Sequence, residues 1–285
     1  MRFLVLGASG MAGHLISLYL KERGHMVVGF SRRGVPFLDK QVLGDVRDVE
    51  LLKDSIEEGN FDVVINCVGV LNKAAETNPD AAWINGQLPH VLADLTSNMT
   101  TRVFHMSTDC VFAGNTGPYT EKSAPDGELA YDRTKAAGEL DDGKNLTFRN
   151  SIVGPDMNSG GIGLLNWFMQ QPGPVKGFTG AIWTGLTTLE LAKAMEHEAG
   201  EGAHGLVNMV PEGSINKFDL LQLFNRELRG AAVEITPDAG LQLDKTLVRT
   251  NFEPSYLPKP YPGQVREMAG WIREHRELYP HYEVI

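Results

Sequence analysis

A tyrosine and a lysine four residues apart, Tyr131 and Lys135, are the side chains best suited to proton transfer. The surrounding residues predict a helix from Tyr131 to Leu140, and a spacing of four places both side chains on one helix face. A nearby ammonium group favours the phenolate and is expected to lower the tyrosine pKa from its reference value of about 10. The pair predicts a proton donor or acceptor for a substrate oxygen, although the same spacing also occurs on solvated helix faces.

A hydroxyl-rich segment, Ser107-Thr108-Asp109, ends an apolar run that is predicted to be a buried strand. Ligands of doubly wound α/β proteins bind at the carboxyl ends of the strands, where a hydroxyl can position a substrate carbonyl. Turn capping would also explain these hydroxyls. His105, in the same run, and His14 are interpreted as hydrogen-bonded structural histidines.

A glycine-rich turn separates the first predicted strand from the first predicted helix, Met11 to Arg23. Glycines let the backbone approach a pyrophosphate, and a helix N-terminus offers N–H groups and partial positive charge. The turn therefore predicts a dinucleotide site formed by Gly7, Ser9, Gly10, Met11 and Gly13.

The end of the second predicted strand reads Ser31-Arg32-Arg33, where an NAD-binding protein would carry an acidic residue for the ribose hydroxyl. Two guanidinium groups suit a 2′-phosphate, so NADPH is the predicted cofactor, with NADH as the alternative. Asp45-Val46 follows the third strand. Its carboxylate is expected either to accept from the adenine amino group or to cap a turn.

The elements that position these residues alternate between strand and helix in the first half of the chain. This order predicts a Rossmann-like, doubly wound parallel sheet. The predicted strands are Phe3–Leu6, Val27–Phe30, Asp62–Val68, Arg102–Ser107 and Leu146–Ile152. The second half has loop signals, further helices and a segment from Pro254 to Pro262 that contains four prolines. We therefore expect a cofactor-binding domain over residues 1–152 and a smaller, interleaved substrate lobe over 153–285. Residues near 181–200 are expected to return to the first domain.

Composition narrows the function classes. The 285 residues carry a formal net charge of -10, which argues against a nucleic-acid or acidic-membrane binder. No apolar run approaches the roughly 20 residues that span a bilayer. The two cysteines, Cys67 and Cys110, have no metal-ligand spacing. We expect a cytoplasmic protein without a metal site.

Several segments occur in an order that resembles the extended short-chain dehydrogenase/reductases, and among them the reductases of nucleotide-linked 4-keto-6-deoxy sugars, such as the dTDP-4-dehydrorhamnose reductases. The segments are Gly7-x-x-Gly10-x-x-Gly13, Asn66-Cys67-Val68-Gly69, Ser107-Thr108-Asp109-Cys110-Val111-Phe112, Tyr131-x-x-x-Lys135 and Arg149-Asn150-Ser151-Ile152-Val153-Gly154. The resemblance covers most of the first 155 residues.

This resemblance implies a role for individual residues. Thr108 would be the catalytic hydroxyl, Tyr131 the proton donor, and Lys135 its partner and a ligand of the nicotinamide ribose. The implied cofactor-lining residues are Asn66, Val68, Gly69 and Ser107, and the implied substrate residues are Asp109, Val111, Asn150 and Trp183. The implied reaction is NADPH-dependent reduction of the C4 keto group of a nucleotide-linked 4-keto-6-deoxy sugar.

Other features leave alternatives open. Cys110 stands where this family commonly has tyrosine, and the segment from Val70 to Asn85 differs from its usual counterpart. A UDP-linked 4-keto-6-deoxy-N-acetylhexosamine is therefore an alternative substrate. An epimerase or dehydratase, a regulatory subunit and a redox-sensing NADP-binding protein are alternative functions. Trp167 is expected either to pack in the core or to stack on a nucleobase. The C-terminal Tyr279–Tyr282 is expected to cover the active site or to form a homodimer contact.

Overall fold

The computed structural model describes residues 1–284 and contains twelve strands and nine α-helices within that range. The strands are β1 Arg2–Leu6, β2 Met26–Ser31, β3 Lys40–Leu43, β4 Val63–Asn66, β5 Arg102–Met106, β6 Leu146–Arg149, β7 Ser151–Val153, β8 Val175–Trp183, β9 Gly185–Thr187, β10 Gly205–Asn208, β11 Ile215–Asn216 and β12 Ile235–Asp244. The helices are α1 Met11–Glu22, α2 Val49–Gly59, α3 Ala74–Thr77, α4 Leu88–Leu95, α5 Ala130–Ala137, α6 Leu164–Met169, α7 Thr188–Glu201, α8 Lys217–Leu228 and α9 Tyr261–Glu274.

The large sheet confirms the predicted doubly wound fold. Its order is β10-β6-β5-β4-β1-β2-β3, and every neighbouring pair is parallel. All four residues of β4 and four of the five in β1 are buried, as expected for strands covered on both faces. The direction of winding reverses between β1 and β4, and this switch point is where such folds bind ligands.

The prediction of a single strand from Leu146 to Ile152 is wrong. It divides at Asn150 into β6, in the large sheet, and β7, which pairs with β9 in a separate two-stranded sheet. Asn150 is therefore placed where the chain leaves the large sheet, at the carboxyl end of β6. Apolar character alone does not reveal that two successive short strands belong to different sheets.

The helix that leads into α4 also differs from a regular helix. A π-helical turn, Trp83–Gln87, precedes α4, because Pro89 has no N–H to donate to the carbonyl of Asn85. The freed backbone allows a close contact with the end of α5, where a Cβ on Gly138 would lie 2.1 Å from the Asn85 carbonyl oxygen. α5 ends at Ala137, with Gly138 as its C-cap residue, and not at Leu140 as predicted.

The second half of the chain contributes to both layers. β8, β11 and β12 form a three-stranded sheet next to α8. By contrast, α7 packs on α1, where Tyr19 donates a 2.7 Å hydrogen bond to Glu196, and β10 extends the large sheet beside β6. The C-terminal segment lies against α1, since the Tyr279 hydroxyl is 2.8 Å from His14 Nε2. Within residues 1–284, no helix is both long enough and apolar enough to cross a membrane.

Candidate active site

Two adjoining clefts open at the carboxyl edge of the large sheet. The smaller, of about 240 Å³, extends from the glycine turn to the ends of β2 and β3. The larger, of about 450 Å³, extends from the glycine turn past β5 and α5 to the second lobe. Both clefts are bounded by Gly10, Cys67, Val68 and Gly69, so they form one continuous crevice.

The glycine turn has the geometry that close backbone approach requires. Gly7 has a φ of +77° and donates a 2.8 Å hydrogen bond to the Phe30 carbonyl. A Cβ on Gly13 would lie 2.1 Å from the Gly7 carbonyl oxygen, so this glycine lets α1 pack against the turn. Gly7, Ser9, Gly10 and Met11 line the crevice, whereas Gly13 does not.

The far end of the smaller cleft is lined by charged side chains. Arg32 borders it together with Ser31, Asp45 and Val46, but Arg33 is not among the lining residues. Asp45 accepts hydrogen bonds from Arg47 Nε and Nη2, both at 2.9 Å. These bonds lower the pKa of Asp45 to about 2, and the charge of Arg32 acts in the same direction. The Asp45 carboxylate is thus already engaged by a guanidinium group.

Lys135 lies buried on α5 and faces the larger cleft. Its Nζ donates a 2.6 Å hydrogen bond to the Met106 carbonyl and lies 3.3 Å from His105 Nε2. Burial lowers the Lys135 pKa to about 8. His105 is also buried, and burial and the neighbouring Lys135 hold its pKa well below the usual value. On its other side, His105 Nδ1 lies 3.2 Å from Asn66 Nδ2.

Tyr131 faces the same cleft from the first turn of α5, and Thr108 faces it from the end of β5. The expectation that the neighbouring ammonium lowers the Tyr131 pKa is wrong for this structure. Burial raises that pKa, and the Cys110 and Asp109 side chains act in the same direction, while the Thr108 hydroxyl opposes them. Tyr131 is therefore held as a neutral phenol, the form that can donate a proton.

The Ser107 side chain is held in place by the buried ion pair between Glu139 and Arg149. Its hydroxyl donates a 2.6 Å hydrogen bond to Glu139 Oε1, and the same carboxylate accepts from Arg149 Nε at 2.7 Å and Nη2 at 2.5 Å. Arg149 is 2% exposed and lies over the Phe112 ring. The Ser107 hydroxyl is thus committed to the scaffold. The Thr108 hydroxyl also lines the cleft, where it donates a 3.2 Å hydrogen bond to Asp109 Oδ1 and accepts one from the Cys110 N–H at 3.1 Å.

The substrate end of the larger cleft is bounded by Asp109, Asn150, Trp183 and Lys217. Asn150 is 2% exposed, and its Oδ1 has no hydrogen-bond partner among the described residues. Lys217 Nζ lies 5.9 Å from the centre of the Trp183 ring, and its charge acts on the buried Asp109 carboxylate. Val111, predicted as a substrate residue, is fully buried in an apolar cluster away from the cleft. That prediction is therefore wrong, because the short 3-10 turn Asp109–Val111 directs Val111 into the core.

A third cavity of about 340 Å³ adjoins the substrate end and shares Leu164 and Lys217 with the larger cleft. It is mostly apolar and includes Trp167, which is 43% exposed and therefore not a core residue. Lys176 is the second ammonium group at its rim. An apolar slot flanked by cations suits a planar group attached to an anion.

Sequence reasoning missed several residues of this crevice. Arg47 does not line the crevice but binds Asp45, which does, and its position two residues after Asp45 was the available signal. Lys217 follows the helix-capping Asn216, so a cation at a helix start was visible, but nothing in the sequence indicated which cleft it faces. Gly163 and Ile162 reach the cleft from a loop whose course depends on tertiary packing. The described chain contains no group of three or more His, Cys, Asp or Glu side chains arranged to hold a metal ion.

Comparisons with known proteins agree with this architecture. The model of the RmlD substrate binding domain family matches residues 1–147. A probable low-salt glycan biosynthesis reductase, Agl14 of Haloferax volcanii, is 36% identical over 141 residues, which are 47% of this chain and 46% of that protein. A dTDP-4-dehydrorhamnose reductase of Streptomyces griseus is 33% identical over 141 residues, 48% of this chain and 43% of that protein. The methionine adenosyltransferase 2 subunit beta of Xenopus tropicalis is 30% identical over 148 residues, 48% of this chain and 41% of that protein.

Solved structures extend the likeness of the fold to most of the chain. A dTDP-4-dehydrorhamnose reductase of Clostridium acetobutylicum superposes with a TM-score of 0.77 at 22% identity, covering 96% of this chain and all of that one. A dTDP-4-dehydrorhamnose reductase of Bacillus anthracis in complex with NADP gives a TM-score of 0.77 at 17% identity, covering 94% and 98%.

The parallel sheet order, the glycine turn and the crevice at the switch point define a Rossmann-type, doubly wound α/β protein. Within that class, the chain belongs to the RmlD substrate binding domain family. In these matches the chain spans less than half the length of each of the three curated relatives.

Proposed function

We propose that this protein is an NADPH-dependent reductase of the C4 keto group of a nucleotide-linked 4-keto-6-deoxy sugar. One observation carries the proposal: Thr108, Tyr131 and Lys135 line a single cleft that continues into the crevice at the glycine turn. The Tyr131 phenol, the Thr108 hydroxyl and the Lys135 amine thus lie in the cleft that adjoins the glycine turn.

The crevice fits a nicotinamide dinucleotide. Gly7, Gly10 and the N-terminus of α1 form a cradle for the pyrophosphate, and a side chain at Gly7 would press on the backbone of Cys67 at 3.2 Å. Arg32 is the cation best placed for a 2′-phosphate, because Asp45 already holds Arg47. When bound, the reduced nicotinamide supplies a hydride to the substrate carbon.

The side chains of the larger cleft complete the reduction. The Tyr131 phenol gives its proton to the carbonyl oxygen as that oxygen gains negative charge, and the proton is replaced from solvent. The Thr108 hydroxyl donates a hydrogen bond to the same oxygen, which stabilises the developing charge. Burial keeps Tyr131 protonated in the free protein, so the proton that it gives is in place before the substrate binds.

The sugar is proposed to lie between Tyr131 and Asn150, with its nucleotide extending across Lys217 into the third cavity. Support comes from the unpartnered Asn150 Oδ1, which suits a sugar hydroxyl, and from Lys217, which suits a diphosphate. Trp167 offers an exposed ring for the nucleobase. On this proposal, residues 1–152 bind the cofactor and most of residues 153–285 bind the substrate.

The test is to follow NADPH oxidation by near-ultraviolet absorbance with a panel of dTDP- and UDP-linked 4-keto-6-deoxy sugars. NADPH-dependent turnover of one sugar is expected, with slower turnover on NADH. Tight NADPH binding without turnover of any panel member would contradict the reductase proposal. That outcome would favour a non-catalytic subunit, since one relative is named as a subunit of methionine adenosyltransferase.

A further inference from the structure

The loop over residues 154–163 joins β7 to α6 and forms one wall of the larger cleft. Its residues Ile162 and Gly163 line that cleft, and Leu164, the next residue, lines both the cleft and the third cavity. A Cβ on Gly163 would lie 3.3 Å from Met11 Sδ, so the loop also lies next to the first turn of α1. None of the loop residues lines the smaller cleft. The loop therefore borders the substrate end of the crevice, where the larger cleft meets the third cavity.

One buried hydroxyl joins the two ends of this loop. Tyr282 lies after α9 and is 6% exposed. Its oxygen accepts a 3.0 Å hydrogen bond from the Asp156 N–H, and its O–H donates a 2.9 Å hydrogen bond to Asn166 Oδ1. Asn166 is fully buried on α6 and donates from Nδ2 to the Gly161 carbonyl at 2.5 Å. Residues near the start and the end of the loop are thus linked through two buried side chains.

The hydrogen bonds along this path can be assigned in only one direction. A backbone N–H can only donate, so the Tyr282 oxygen accepts from Asp156 and its single hydrogen is available to Asn166. The Asn166 oxygen accepts that hydrogen, so its amide nitrogen faces the loop carbonyls of Ser159 and Gly161, which can only accept. Removal of the Tyr282 hydroxyl would leave a buried N–H and a buried amide oxygen without these partners, which destabilises this arrangement of the loop.

The segment that carries Tyr282 is itself anchored on α1. The Tyr279 ring stacks on the Tyr282 ring, with centroids 5.8 Å apart and planes inclined by 14°. The Tyr279 hydroxyl lies 2.8 Å from His14 Nε2, and His14 Nδ1 lies 3.0 Å from the Gly10 carbonyl. Trp271 Nε1 also donates to the Tyr279 hydroxyl at 3.3 Å. The position of Tyr282 is therefore fixed relative to the helix that follows the glycine turn.

We propose that Tyr282 is a positioning residue that holds the loop over residues 154–163 in place as a wall of the substrate end of the cleft. Tyr282 lines none of the three cavities, so it acts through Asn166 and the loop and not by contact with the sugar. The inference rests on the proposed function, in which the sugar nucleotide extends from the larger cleft into the third cavity beside this loop.

The kinetic consequence is a change in KM for the sugar and not in kcat. A loop that is only partly in its binding arrangement lowers the apparent affinity by the populated fraction, so Tyr282→Phe should raise this KM by about 10-fold. With the sugar bound the loop is in place, so kcat should change little. NADPH affinity should also change little, because the loop does not border the smaller cleft. Partial unfolding would have a different signature, since fewer active molecules lower kcat at an unchanged KM.

The loop can be observed without any substrate. Hydrogen–deuterium exchange of the full-length protein, followed by mass spectrometry, measures how often the backbone of residues 156–163 opens. In Tyr282→Phe this segment should exchange at least about 10-fold faster than in wild type. Tyr256→Phe is the matched control, because its hydroxyl donates a 2.9 Å hydrogen bond to Glu190 on α7, outside the three cavities. That variant should leave both the exchange of residues 156–163 and the sugar KM as in wild type.

A second variant breaks the same path at its other side chain. Asn166→Leu removes the acceptor for Tyr282 and the donor to Gly161, so it should accelerate exchange in the same segment and raise the sugar KM to a similar extent. It keeps the test available if Tyr282→Phe does not fold. Because both substitutions break one path, the double variant should raise KM by less than the product of the two single effects.

Two results would overturn the inference: unchanged exchange of residues 156–163 in folded Tyr282→Phe and Asn166→Leu, or a lowered kcat at unchanged sugar KM in both variants. If no sugar of the panel turns over, the proposed function fails and the exchange measurement alone decides the role of Tyr282. Faster exchange would then uphold Tyr282 as the residue that holds the loop, and unchanged exchange would reject it.

Discussion

The buried ion pair between Glu139 and Arg149 should stabilise the fold chiefly because each charge satisfies the other. The two side chains are 8% and 2% exposed, and the pair is joined by two hydrogen bonds. Arg149→Met would leave the carboxylate with only the Ser107 hydroxyl as a hydrogen-bond donor. Glu139→Met would leave a buried guanidinium with the Phe112 ring beneath it and one 3.4 Å hydrogen bond to a backbone carbonyl. Each single substitution is expected to lower the free energy of unfolding by about 3–5 kcal/mol.

The double variant should be less damaging than either single one. With both charges gone, the main unsatisfied group is the Ser107 hydroxyl, so the expected cost is about 1–3 kcal/mol. The coupling energy between Glu139 and Arg149 should then be at least about 3 kcal/mol. Arg226→Met is the matched control, because Arg226 is 55% exposed in its pair with Glu227 and should cost below about 1 kcal/mol.

The assay is urea unfolding of the four variants and the wild type, followed by fluorescence and by circular dichroism, with the slope m compared across the set. Strong non-additivity with unchanged m is the expected result. Additive costs, in which the double variant loses the sum of the two single losses, would refute the reasoning, because they would mean that the two charges do not satisfy each other.

Three further predictions follow from the crevice and the surface. Arg32→Ala should weaken NADPH binding by about 10- to 100-fold while NADH binding changes little. Arg33→Ala should change the binding affinity for neither cofactor. Fluorescence titration of each variant with NADPH and NADH measures these affinities. Gly13→Ala should abolish dinucleotide binding or unfold the protein, because its Cβ would meet a backbone carbonyl at 2.1 Å. Gly270 lies in open space within α9, so Gly270→Ala should instead stabilise the protein by about 0.5–1 kcal/mol, measured by thermal unfolding. Burial alone would lower the pKa of His275, but its bond to a carboxylate of α1 raises it overall. The ion pair between protonated His275 and this carboxylate stabilises the fold fully below the unfolded-state pKa of His275. This stabilisation is lost as pH rises through the folded-state pKa. His275→Gln should therefore destabilise near pH 5.5 and be neutral near pH 9, by about 1 kcal/mol or less at most; equal effects at both pH values would argue against the ion pair.

The sheet could be predicted because its strands carry local signals. The apolar runs at β1, β4 and β5 are buried on both faces, and the glycine turn follows β1 directly. Strands at the edge of each sheet carry weaker signals. β3 is exposed or half-buried along its length, and eight of the ten residues in β12 are exposed, so their sequences do not alternate in a way that reveals a strand.

The site could be predicted in part for a similar reason. Tyr131 and Lys135 are joined by local helix geometry, and their shared face follows from spacing alone. The direction of the Tyr131 pKa shift depends on burial by residues distant in sequence. Local spacing indicates the nearby ammonium group but not this burial. The contact between Lys135 and His105 joins residues 30 positions apart. It is set by the tertiary structure, which places Lys135 of α5 next to His105 and Met106 of β5, and no local pattern encodes that placement.

Tyr131 is proposed to donate the proton in a carbonyl reduction at this cleft. The most direct measurement compares wild type with Tyr131→Phe for turnover of the active panel sugar and, separately, for NADPH affinity. We expect a loss of about 10²- to 10⁴-fold in kcat with NADPH affinity nearly unchanged, because the phenol hydroxyl acts in proton transfer and not in holding the dinucleotide. Equal kcat in the two proteins would contradict it and remove Tyr131 from the reaction.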